Sequence, residues 1–84
     1  MKHLTDFERQ FIAKAAFDWY TQHGFNAELS YWHGDSSYLL HVYVESNDTL
    51  PSFPFLDHSD IESKSWLSTP TTTIYRFRIP YGRL

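Results

Sequence analysis

Between Thr5 and Gly24 the apolar positions recur at helical spacing, and from Phe25 onward the period falls to two. Phe11, Ile12, Ala15, Ala16 and Trp19 fall on one stripe at 100° per residue, with Phe17 and Tyr20 on a flank shared with Arg9 and Ala13. The stripe is the predicted core face. Thr5-Asp6-Phe7-Glu8 reads as a capping box, in which hydroxyl and carboxylate each satisfy the other residue's amide. Gly24 suits the left-handed position that ends a helix, with Phe25 folding back on Tyr20. These signals predict a helix over about 6–23.

Phe25, Ala27, Leu29 and Tyr31 alternate with polar residues, and Tyr38, Leu40, Val42 and Val44 repeat the pattern after a turn. His33-Gly34-Asp35-Ser36 places Gly at the first central position of a two-residue type II′ turn. That turn pairs Tyr31 with Tyr38, Leu29 with Leu40, Ala27 with Val42 and Phe25 with Val44, apolar with apolar throughout. Turn chemistry and alternation agree on one register, which predicts strands over about 25–33 and 36–45. The opposite face then carries Trp32, Glu28, Leu39, His41 and Tyr43, an odd set for a solvated surface.

Pro51 and Pro54 forbid a helix or a central strand in 46–58, so this stretch is read as a connection. Phe53, Phe55 and Leu56 are expected to plug an open end of the core, with a protruding apolar tip that makes loop contacts as the alternative. Ser59-Asp60-Ile61-Glu62 resembles a second capping box and predicts a short helix over about 60–67, anchored by Ile61, Trp66 and Leu67 and ended by Thr69-Pro70. A third strand over about 72–79 follows, with Thr73, Tyr75, Phe77 and Ile79 on one face and Ile74, Arg76 and Arg78 on the other. Tyr81-Gly82-Arg83-Leu84 is read as a short tail. The expectation is a single α+β domain over 1–84, an N-terminal amphipathic helix packed on a small antiparallel sheet, in the order α-β-β-α(short)-β.

Composition changes this picture in one respect. Three Trp, six Tyr and seven Phe in 84 residues are more large rings than so small a core can enclose, so some are expected at an interface. A net charge of −3 argues against binding nucleic acid mainly by counterion release. No cysteine is present, which removes disulfides and thiolate metal sites. The first residues lack the apolar stretch of a signal peptide, and no window resembles a membrane span, so a cytoplasmic setting with no membrane partner is expected.

Candidate chemistry is sparse. The histidines at 3, 23, 33, 41 and 58 have no metal-ligand spacing, and no metal or cofactor is expected. His23 in the last helical turn suits the dipole there. Glu28 opposite His41 is the nearest acid–base pair, and an ordinary cross-strand polar pair explains it as well. No serine sits in a nucleophile elbow and no glycine loop could cradle phosphate, so no catalytic residue is assigned.

Aromatic side chains and Arg with little Lys make up the centre of protein interfaces. Trp32, Leu39, His41, Tyr43, Arg76 and Arg78 are therefore the expected partner-binding residues, on an outer sheet face left open by the helix. Two other fates for that face are a cover of the short helix and Pro-rich loop, or pairing of the arginines with Glu28 and Glu45. The expected function is a small non-catalytic protein-binding module: a homo-oligomer, an adaptor, or an inhibitor of a larger protein, of the kind encoded by phages and mobile elements. Single-stranded nucleic-acid binding on the same face is the alternative, with bases stacked on rings. An unrecognised enzyme using His41 and Glu28 is the third reading.

Overall fold

The computed structural model describes residues 4–34 and 36–80; residues 1–3, Asp35 of the predicted turn and the tail at 81–84 lie outside them. Helix α1, Asp6–Gln22, packs on one face of a four-stranded antiparallel sheet. Strands β1 (Asn26–Trp32), β2 (Ser37–Glu45), β3 (Glu62–Thr69) and β4 (Thr72–Pro80) lie in the order β1-β2-β4-β3. A single 3-10 turn, Pro54–Asp57, interrupts the connection between β2 and β3.

Both ends of α1 form as the sequence predicts. Thr5 Oγ1 accepts from the Glu8 amide at 3.1 Å, and the Glu8 carboxylate accepts from the Thr5 amide at 2.8 Å. Gly24 turns left-handed at φ +90°, the Phe25 amide donates to the Tyr20 carbonyl at 3.0 Å, and the Gly24 amide donates to that of Thr21 at 3.1 Å. This is a Schellman ending, completed by the Phe25 ring 6.1 Å from Tyr20.

The buried face of α1 is not the predicted stripe. Arg9, Ile12, Ala13, Ala16 and Tyr20 point inward, whereas Phe11 is 58% exposed. At 100° per residue the helix is rolled by about 80° toward the flank that holds Arg9 and Tyr20. The reason lies in the connection, which offers polar partners to that flank. Asp60 Oδ2 sits 3.1 Å from Arg9 Nη2 and also accepts from the Leu4 amide at 2.9 Å. Tyr20 Oη donates to the Pro51 carbonyl at 2.8 Å and accepts from the Phe53 amide at 3.3 Å. With Arg9 Nη2 and the Tyr20 hydroxyl paired, an arginine stem and a phenol ring bury on this flank.

The first hairpin has the predicted register: Ala27 faces Val42, Leu29 faces Leu40 and Tyr31 faces Tyr38. Each strand is one residue shorter at the turn than predicted, leaving the register untouched. The type II′ turn does not form: Ser36, at φ +49°, takes the left-handed conformation rather than Gly34. Gly34 serves another purpose, since a Cβ there would come within 3.3 Å of Trp32 Nε1. It makes room for the indole.

The short helix predicted over 60–67 is a strand. Glu62 pairs with Arg78, Lys64 with Arg76 and Trp66 with Ile74, while Ser63, Ser65 and Leu67 face Phe77, Tyr75 and Thr73. Ser and Thr favour helices poorly, Glu62, the acidic member of the capping-box pattern, faces Arg78 in the sheet, and Asp60 beside it is held by Arg9 and Leu4. Pro70 ends no helix; it lies in the tight link from β3 to β4. The order is therefore α-β-β-η-β-β, with one more strand than expected and the α+β class unchanged.

Leu40, Val42, Val44, Phe77 and Ile79 form the inner sheet surface under Ile12, Ala13, Ala16 and Tyr20. Leu56 and Ile61 close the core from the connection, and Phe53 packs against it. Phe55 remains 55% exposed, so the Pro-rich segment is split between plug and tip.

Candidate protein-interaction face

The face opposite α1 is built by register alone. Antiparallel pairing aligns Asn26, Tyr43, Ile74 and Trp66 in one row across β1, β2, β4 and β3. The next row holds Glu28, His41, Arg76 and Lys64, the next Ser30, Leu39, Arg78 and Glu62, and Trp32 stands at the corner beside Ser37 and Pro80. Alternation along each strand sends these side chains outward because their neighbours are needed by the core.

Five of the six predicted partner-binding residues, Leu39, His41, Tyr43, Arg76 and Arg78, occupy the two central strands and are half-buried by one another. Trp32 is 52% exposed. Phe53 and Phe55 do not join them; their rings lie 5.9 Å apart, and Phe53 also packs on Trp19 of the helix. Trp66 and Lys64 complete the face and were missed because their segment was read as helical. The signal was present: Glu62, Lys64 and Trp66 alternate with Ser63, Ser65 and Leu67 in the period of a strand.

The polar groups form local contacts. Tyr43 Oη donates to Glu28 Oε1 at 3.0 Å, a diagonal contact that takes up the carboxylate facing His41. This hydrogen bond is the main cause that raises the Tyr43 phenol above its ordinary value. Arg78 lies 3.5 Å from Glu62, and Glu45 accepts from Thr72 Oγ1 at 3.2 Å. Arg76 lies over the Trp66 ring, 5.6 Å from its centroid, and the His41 ring meets the same indole edge-on at 6.3 Å. Burial, and then the adjacent Arg76 cation, push the His41 imidazole below its ordinary value, against a smaller upward pull from Glu28. Neither Arg76 nor Lys64 has a carboxylate within ion-pair distance among the described residues. The face thus offers rings, an imidazole whose cation is disfavoured, and two cations beyond ion-pair distance of any described carboxylate.

Nothing among the described residues crosses this face. The connection between β2 and β3 packs on the α1 side, where Tyr20, Leu56 and Phe53 hold it. Among the described residues, no helix is long and apolar enough to cross a membrane. Comparison with family models, curated proteins and solved structures returns no match to the chain.

Proposed function

We propose that this chain is a non-catalytic protein-binding module whose outer sheet face docks on a partner presenting apolar side chains together with a carboxylate. One observation carries the reading: Trp32, Tyr43, Trp66 and Arg76 stand on a sheet face that no described segment covers. Rings lose little conformational freedom on docking, and both rings and Arg give much contact, which is why such positions dominate interface energies. A carboxylate from the partner would meet Arg76 and Lys64 without displacing an existing ion pair. An adaptor fits this description, as does an inhibitor of a larger protein carried by a phage or mobile element.

The test is affinity capture with the immobilised chain, comparing wild type with Trp32→Ala, Tyr43→Ala and Arg76→Glu, and with Phe11→Ser on the helix side as control. Truncation of a central residue costs about 2 kcal/mol, or roughly thirtyfold in affinity. Capture that falls with the face variants and survives in the control supports the reading. Equal recovery by all four variants removes it.

Single-stranded nucleic acid is the second reading, favoured by one observation: Lys64 joins Arg76 and Arg78 on a face with open rings. Oligonucleotide binding that weakens steeply with salt would select it over a protein partner.

A further inference from the structure

We infer that β3 is an edge along which two copies of this chain join, antiparallel about a two-fold axis at Ser65, into one eight-stranded sheet. All eight residues of β3 are exposed. Helix α1 packs on β1, β2 and β4, and the side chains that β3 turns toward the helix layer, Ser63, Ser65 and Leu67, remain open. A strand exposed along its whole length and bonded on one side is the least supported element of a sheet. It also presents a full row of backbone donors and acceptors. Edges that avoid pairing are short, carry lysine or proline, bulge, or turn charges inward. In β3 the one lysine, Lys64, points to the outer face, and the one irregularity lies beyond Leu67, which leaves 62–67 regular. β3 has eight residues, no proline, and no charge on its inner row. The other edge, β1, is seven residues long and sits beneath α1.

The side chains select the register. A two-fold axis keeps outward residues on one face only when even positions meet even positions. Centring the axis on Lys64 would oppose Lys64 to Lys64. Centring it on Ser63 would bring Glu62 against Lys64 but end the overlap at Ile61, which is buried, and at Asp60, which is held by Arg9. Centring it on Trp66 would run into the irregularity between Leu67 and Thr69. The axis at Ser65 keeps 63–67 within the regular part of the strand and opposes no like charges. It sets Lys64 of each copy beside Trp66 of the other, so that each indole lies between its own Arg76 and the second copy's Lys64. Ser63 then faces Leu67, and no like charges oppose directly. The dimer places two outer faces side by side in one surface.

The chain has no cysteine, so a single introduced thiol reports the geometry directly. Directly opposed Cα atoms in antiparallel pairs lie about 4.5–5.5 Å apart, within reach of a disulfide. Under mild oxidation Ser65→Cys is expected to form a covalent dimer, while Ser63→Cys and, on the β1 edge, Ser30→Cys stay monomeric. Sedimentation equilibrium of the cysteine-free chain should show reversible dimers. Trp66→Lys, which opposes two lysines twice, should weaken association roughly tenfold or more, and adding Lys64→Glu should restore it. A chain that sediments as a monomer at millimolar concentration overturns the inference. So does oxidation of Ser65→Cys no faster than that of Ser30→Cys. No other partner enters these experiments, so their outcome is separate from that of the docking reading.

Discussion

Buried polar side chains decide how the helix sits. The Arg9 and Asp60 side chains are 4% and 10% exposed, so their 3.1 Å pair is held largely away from water. Without Asp60 the buried Arg9 would fall back on the longer, largely exposed contact to Asp6 at 3.9 Å, and Asp60→Ala should cost about 3 kcal/mol in chemical denaturation. Tyr20→Phe leaves the Pro51 carbonyl and the Phe53 amide without their partner and should cost about 1–3 kcal/mol by the same measurement. Burial also raises the Tyr20 phenol above its ordinary value, so it remains a donor through neutral pH. On the other face, His41 titrates lower in the folded chain than when unfolded, because burial and Arg76 disfavour its cation. Between those two values the unfolded chain binds more protons, so stability is complete above about pH 6.5 and declines as pH falls through the folded value. His41→Gln should flatten that part of the stability profile; an unchanged slope would show that another group is responsible.

At the scale of elements, local signals were reliable where two of them agreed. α1 has a capping box at one end and a Schellman ending at the other, and both formed. The first hairpin was legible because turn position and alternation fixed the same register, even though Ser36 rather than Gly34 became left-handed. In β3 a capping-box pattern outweighs the alternation in the sequence, yet its Glu62 pairs with Arg78 in the sheet and the neighbouring Asp60 is needed by Arg9, fifty-one residues away. The roll of α1 was hidden for the same reason: sequence spacing does not reveal which polar side chains will find buried partners. Of the outer face, the residues from β1, β2 and β4 were legible by period two, whereas Trp66 and Lys64 were lost with their strand. Gly24 gives an element-scale prediction. Its φ of +90° strains any other residue, although a methyl group there would meet no atom within 4 Å. Gly24→Ala should therefore cost about 1 kcal/mol in chemical denaturation, through backbone strain alone.

At the scale of the whole molecule, a single helix roofs three strands and leaves two surfaces unroofed, the outer face and both sides of β3. The abundance of rings follows from this arrangement: Tyr20 and Phe77 fill the core, while Trp32 and Trp66 stand outside it. The proposed docking depends on the openness of the outer face, and hydroxyl-radical footprinting of the dilute chain, read residue by residue by mass spectrometry, tests that openness most directly. Early oxidation of Trp32 and Tyr43, with Tyr20 and Phe77 protected until the chain unfolds, is the predicted result. Protection of Trp32 and Tyr43 equal to that of Tyr20 would contradict it.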